Sequence, residues 1–143
     1  MTLQAIMDSL RTDLDVFRTT LRLDHPEPGD EVFPIVVESL GKDAQSIKGP
    51  LPFNLRATGT YEWLATEQRI LVQDDCSEGP SPPTHLMEVF GVGAQLLGPL
   101  IKDGELRGII SVHHAAAPRV WTDDDVQVLE RAVADVEAIL DSE

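Results

Sequence analysis

Ser111 and His113 lie two residues apart in the run Gly108-Ile109-Ile110-Ser111-Val112-His113-His114. Alternate side chains of a strand share a face, so this spacing aims a hydroxyl and an imidazole the same way, about 7 Å apart. That separation suits two groups lining a pocket rather than a pair bonded to each other. An imidazole there can donate, accept or transfer a proton near neutral pH. The bland alternative is a core histidine bonded to a backbone carbonyl. Arg18 and Arg22 bear the same relation within Phe17-Arg18-Thr19-Thr20-Leu21-Arg22-Leu23, where they share a face with Thr20. Two guanidiniums in a central strand are costly to bury unless paired. Glu38 or Asp74 would serve as internal partners. A carboxylate or phosphate ligand would serve equally, because its oxygens match the planar guanidinium fork.

Trp63, with Tyr61, is placed to wall an apolar or aromatic ligand, with ordinary core packing as the alternative. Asp74 and Asp75 close a short strand, where turn chemistry alone accounts for acids. A general-base role for Asp74, orienting a water or the His113 imidazole, is the sharper reading. Cys76 follows in an acidic stretch with no cationic neighbour to stabilise a thiolate. His25, His85, His113 and His114 lack the spacing of a metal motif, so no metal site is expected.

The elements that must position these groups centre on one hairpin. The apolar runs Ala94 to Ile101 and Leu106 to Val112 flank Lys102-Asp103-Gly104-Glu105, and Asp-Gly tolerates the positive φ angles of a type I′ turn. Both arms read as central strands covered on both faces. Strict alternation sends Leu106, Gly108, Ile110, Val112 and His114 to one face, and Arg107, Ile109, Ser111 and His113 to the other. Residues 3 to 14 carry Leu3, Ile6, Met7, Leu10 and Leu14 at helical spacing. Phe17 to Leu23 and Val32 to Glu38 read as a strand hairpin around a turn at residues 25 to 30, with Pro34 marking an edge or a late start. Residues 41 to 59 read as loop. Thr60 is expected to cap a short helix over Tyr61 to Ala65, and Arg69 to Gln73 forms a short strand. Cys76 to Pro83 is turn-rich, and His85 to Phe90 has room for one or two helical turns before Gly91. Thr122 and three aspartates then open a helix with Val126, Leu129, Val133, Val136 and Leu140 on one stripe.

A chain of 143 residues fits one domain with a core of its own. Its formal charge of −14 opposes nucleic acid and anionic membranes, both of which need a positive footprint. No apolar run approaches the roughly 20 residues of a membrane span, and no secretion signal is evident. A single cysteine rules out an internal disulfide and suits a reducing cytoplasm.

This order of elements implies an α+β fold: a central antiparallel sheet with N- and C-terminal helices on one face and a loop-covered ligand pocket on the other. It resembles the GAF domain, a relative of the PAS fold. The resemblance rests on Ala94-Gln95 through Pro99-Leu100, Asp103-Gly104, Gly108-Ile109-Ile110-Ser111-Val112, and Trp121-Thr122-Asp123-Asp124-Asp125, with Ile70 to Asp75 as the mid-domain strand. It implies a single domain over residues 1 to 143, binding a small molecule. GAF domains take cyclic nucleotides, bilins, haem, amino acids and other metabolites. Bilin-binding members use a cysteine beside a histidine, whereas Ser77 follows Cys76 here, so neither bilin nor haem is expected as a cofactor. The chain ends with the domain, so any output is expected to come from its own chemistry or through a partner.

The resulting expectation is a cytoplasmic sensor of a small, anionic, carboxylate-bearing metabolite. Arg18, Arg22, Trp63, Asp74, Ser111 and His113 would form its pocket. A second reading is a small enzyme with His113 as general acid/base and Asp74 assisting. A third is an interaction domain with a degenerate pocket. The terminal helices are expected to pair two copies, with Ala132 and Ile139 left beside the main stripe of the last helix.

Overall fold

The computed structural model describes residues 1–24, 33–48, 58–78, 91–115 and 117–142. Helix α1 (Leu3–Leu14) begins where the Thr2 hydroxyl accepts the Ala5 N–H, and ends at Asp15 in the left-handed conformation. Strands β1 (Arg18–Leu23) and β2 (Ile35–Leu40), helix α2 (Gly59–Glu67), strands β3 (Leu71–Gln73), β4 (Val92–Lys102) and β5 (Glu105–Ala115), and helix α3 (Asp123–Asp141) follow in order. The strands form one antiparallel sheet in the order β2-β1-β5-β4-β3. The β4–β5 hairpin thus lies at its centre, as its double-sided apolar pattern requires. Asp103 and Gly104 both have positive φ, 53° and 80°, as the type I′ reading expects.

The two terminal helices cover one sheet face. Ile6, Met7, Leu10 and Leu14 of α1, and Leu129, Ala132 and Val136 of α3, bury Leu21, Ala94, Leu96, Leu100, Ile110 and Val112. The Thr122 hydroxyl and the Asp125 carboxylate form a reciprocal capping box at the start of α3. Ala132 is buried in this core and Ile139 packs against it, so neither stands clear as expected. A second apolar cluster occupies part of the opposite face. There Leu64, with Tyr61, Trp63 and Ala65 of α2, packs with Phe33 over Leu71, Leu97, Leu106 and Ile109.

Three sequence expectations change. Helix α2 is capped by Thr58, whose hydroxyl accepts the Tyr61 N–H, while Thr60 lies inside the helix and is buried. The short strand begins at Leu71 rather than Arg69. Strict alternation also fails at the turn end of β5. Leu100 pairs with Gly108 but Ile101 pairs with Leu106, a bulge that absorbs Arg107. Arg107 therefore reaches Asp141 of α3 at 2.9 Å, and Leu106 turns into the α2 cluster. Pro34 precedes the edge strand β2 as expected. The expected turn at residues 25 to 30, the start of a strand at Val32 and the helical turns at His85 to Phe90 lie outside the described residues.

Candidate functional site

Strand register brings polar side chains into one row on the face opposite α1 and α3. Arg18 pairs with His113, His113 with Gln95, and Gln95 with Gln73. All four are buried, in a row that runs from β1 across the central hairpin to the edge strand β3. One rung along, Thr20 pairs with Ser111 and Ser111 with Leu97. The next rung aligns Arg22 with Ile109 and Ile109 with Pro99. The face therefore grades from a polar end at His113 to an apolar end under α2. Of the residues singled out from sequence, Arg18, Arg22, Ser111 and His113 share this face, and Trp63 stands at its apolar end.

Each arginine of the row has a fixed direction. Arg18 Nε donates to the Gln45 carbonyl at 3.1 Å, and its Nη1 lies 3.1 Å from His113 Nδ1. Its guanidinium also stacks over the Phe17 ring, 4.5 Å from the centroid. Burial pulls the Arg18 pKa down, and the nearby Glu38 carboxylate opposes that shift. Glu38 itself accepts from the Ser46 hydroxyl at 2.6 Å and the Ile47 N–H at 2.8 Å. It thus pins the 46–47 segment beside the arginine. Arg22 Nη1 donates to the Phe33 carbonyl at 2.8 Å. Phe33, at φ 51°, also meets the Tyr61 ring edge-on at 5.6 Å.

His113 is neutral. Burial, reinforced by the charges of Arg18 and Arg22, pushes its pKa down to about 3. A guanidinium only donates, so Nδ1 must accept and the imidazole proton must sit on Nε2. That N–H has no acceptor among the described residues. A neutral imidazole whose only lone pair is held by Arg18 offers a hydrogen-bond donor, not a base.

The other half of the row is ordered from the opposite end. Gln73 Nε2 donates to the Glu78 carbonyl at 3.0 Å, and Gln95 Nε2 donates to Gln73 Oε1 at 2.6 Å. Sequence reading passed over both glutamines. The available signal was a long amide inside each of two apolar strands, Ile70-Leu71-Val72-Gln73 and Ala94-Gln95-Leu96-Leu97.

Asp74 stands elsewhere. Its exposed carboxylate accepts the Trp121 N–H at 3.1 Å, and its carbonyl accepts the Arg119 N–H at 2.9 Å. Trp121 Nε1 adds a bond to the Gln73 carbonyl at 3.0 Å. These contacts tie the chain before α3 along the edge strand β3. Trp63 is half-buried on α2, with the Arg69 guanidinium 4.9 Å from its ring centroid. His114 faces away from the row and meets Trp121 edge-on at 6.4 Å. Cys76 is buried, and burial with the neighbouring Asp75 charge pushes its thiol up to about 11. Among the described residues no group of three or more His, Cys, Asp or Glu side chains is placed to hold a metal ion. No helix among them is long and apolar enough to cross a membrane.

A model of the GAF domain family matches residues 1–140. An uncharacterised protein of Picosynechococcus sp. is 28% identical over 131 residues, covering 90% of this chain and 78% of its own. Among solved structures, the blue-light-absorbing form of the Thermosynechococcus elongatus PixJ GAF domain superposes with a TM-score of 0.70 at 21% identity, covering 96% of this chain and 86% of that one. The phycocyanobilin-bound GAF domain of a cyanobacterial phytochrome gives 0.75 at 17% identity, covering 98% and 85%. A far-red-absorbing dark state with bound biliverdin gives 0.73 at 17%, covering 97% and 89%. These likenesses establish the fold. They also correct the expectation that a bilin is unsupported: solved domains of this fold hold bilins, so the residue following one cysteine is no ground for excluding such a ligand.

Proposed function

The chain belongs to the GAF domain family, and we propose that it is a small-molecule-binding member whose ligand lies on the sheet face bearing Arg18, Arg22, Ser111 and His113. The observation that carries this reading is the buried polar row, in which a neutral imidazole directs its N–H away from the guanidinium that fixes it. A ligand carbonyl or carboxylate suits that donor, and the two guanidiniums favour an anion. The apolar rung under α2, with Trp63 at its end, suits a hydrophobic body. The ligand we propose is therefore amphipathic and carboxylate-bearing, and bilins, which carry propionate groups on an apolar tetrapyrrole, fall within that class. The Cys76 thiol is buried and held protonated, so it does not offer the thiolate that a covalent link requires. The fit is to a ligand held without such a link.

Adding biliverdin, phycocyanobilin and a panel of small carboxylates to the purified protein tests this reading. A ligand at 100 times its Kd should stabilise the fold by about 2.7 kcal/mol, and a bound bilin should change its visible absorption. His113→Ala should fold and lose the response. Absence of any response across the panel would sink the reading.

Pairing of two copies along α1 and α3 is part of the same proposal. A groove of about 230 Å³ between the helices has Ile6, Leu10 and Val128 in its lining, with Arg131 beside Asp13 and Asp135. A twofold contact there would set Arg131 against the partner's acids. Sedimentation at high micromolar concentration should show a dimer that Arg131→Glu dissociates, and a wild-type monomer would count against pairing.

A further inference from the structure

Gln95 and His113 are direct cross-strand partners, each only 1% exposed, yet no hydrogen bond joins them. Their proton roles are dictated from opposite ends of the row. The Glu78 carbonyl can only accept, so Gln73 presents its NH2 there and its oxygen to Gln95. Gln95 must then give its NH2 to Gln73, which leaves Oε1 as the atom without a partner among the described residues. The Arg18 guanidinium can only donate, which leaves His113 with its proton on Nε2. A donor and an acceptor thus belong to neighbouring residues of the buried row, their roles fixed at one end by the Arg18 guanidinium and at the other by the Glu78 carbonyl. Neither atom has a partner among the described residues, and polar groups held inside a fold are as a rule hydrogen-bonded.

We infer that Gln95 Oε1 and His113 Nε2–H together read a ligand edge in which a C=O and an N–H lie next to each other, as in a lactam, imide or other cis-amide. Gln95 is the specificity-determining residue: His113 alone accepts any carbonyl, whereas Gln95 admits only a ligand that also carries a donor. Gln73 is a positioning residue that keeps the Gln95 amide from turning over. This inference rests on the proposed ligand-binding face and adds the functional group recognised there.

The test uses phthalimide and N-methylphthalimide, two probes of nearly one shape that differ in the N–H. Each is titrated into the ¹⁵N-labelled full chain at millimolar concentrations, following the Gln95 side-chain amide and the His113 imidazole by NMR. Phthalimide should shift both signals saturably, and N-methylphthalimide should bind at least tenfold more weakly. Gln95→Met keeps the length and loses the acceptor, so it should bind the two probes equally. Gln73→Met should narrow the difference by freeing the Gln95 amide to turn. Equal binding of both probes to the wild-type chain overturns the inference without any variant having to fold. So does discrimination that survives in Gln95→Met. If biliverdin or a carboxylate binds while the imides are not told apart, the ligand-binding face stands and the role of Gln95 falls. Silence toward every probe overturns both.

Discussion

Arg18 on β1 and His113 on β5 are register partners whose side chains meet at 3.1 Å, so the pairing of two strands sets the protonation of an imidazole. A one-residue slip of either strand would turn its own side chain to the helix-covered face and part the pair. The chemistry of the site is therefore a property of sheet register more than of either residue alone.

The first prediction concerns pH. The folded His113 pKa of about 3 lies below its ordinary 6.5. As pH falls through 6.5 the unfolded chain takes up a proton that the folded chain refuses. The stability contributed is full above about 6.5 and is lost progressively toward pH 3, at up to about 1.4 kcal/mol per pH unit. The His114 pKa is also lowered, mainly by burial and then by Arg119, and contributes in the same direction. Urea midpoints at pH 7.5, 6 and 5 should fall steadily for the wild type, and less steeply for His113→Gln. Parallel curves would show that His113 is not held neutral by the fold. The carboxylates whose folded pKa is lowered, Asp8 and Asp75, titrate mostly below this window.

Asp74 is read as a docking residue. Asp74→Ala leaves the Trp121 N–H without its acceptor and should cost about 1 to 3 kcal/mol in chemical denaturation. Biliverdin or carboxylate binding at permissive temperature should be unchanged. Trp121→Phe should cost about 1 kcal/mol by losing the bond to the Gln73 carbonyl. A stable Asp74→Ala protein that no longer binds ligand would move Asp74 into the pocket.

Thr20 carries a buried hydroxyl with no hydrogen-bond partner among the described residues. Thr20→Val keeps the shape and removes the stranded group. It should leave stability unchanged or raise it by about 1 kcal/mol. If the hydroxyl faces the ligand, affinity should fall at the same time. A loss of stability would mean that the hydroxyl is satisfied by water.

The sheet, both terminal helices and the shared face of Arg18, Arg22, Ser111 and His113 were legible because period-2 and period-3.6 patterns are written in local sequence. The position of Arg107 was not. The bulge that sends it to Asp141 is set by how β5 pairs with β4, and nothing adjacent to Arg107 encodes it. The cap of α2 was misplaced by two residues because Thr58 and Thr60 offer the same hydroxyl, and only packing decides which one is buried. Asp74 was drawn toward His113 by its chemical type, while its partner Trp121 lies 47 residues away in sequence. Gln73 and Gln95 looked like ordinary strand residues until the register set them side by side.

The last prediction tests how α3 seats on the sheet. Gly98 pairs with Ile110 in the central hairpin, and a Cβ built there would lie 2.8 Å from Val133 Cγ2 and 3.4 Å from Leu129. The missing side chain lets the helix approach closely enough to bury Leu129 and Val136. Gly98→Ala should therefore cost about 1 to 3 kcal/mol by overpacking. Val133→Ala alone should also destabilise, by opening a gap at the same contact. Together the two changes exchange one methyl group for the space vacated by another, so the double variant should be more stable than the sum of the single losses implies. A favourable coupling of about 1 kcal/mol or more in urea denaturation is expected for groups in direct contact. Strict additivity would mean that α3 shifts as a body to accept the alanine, and that Gly98 does not set its distance from the sheet.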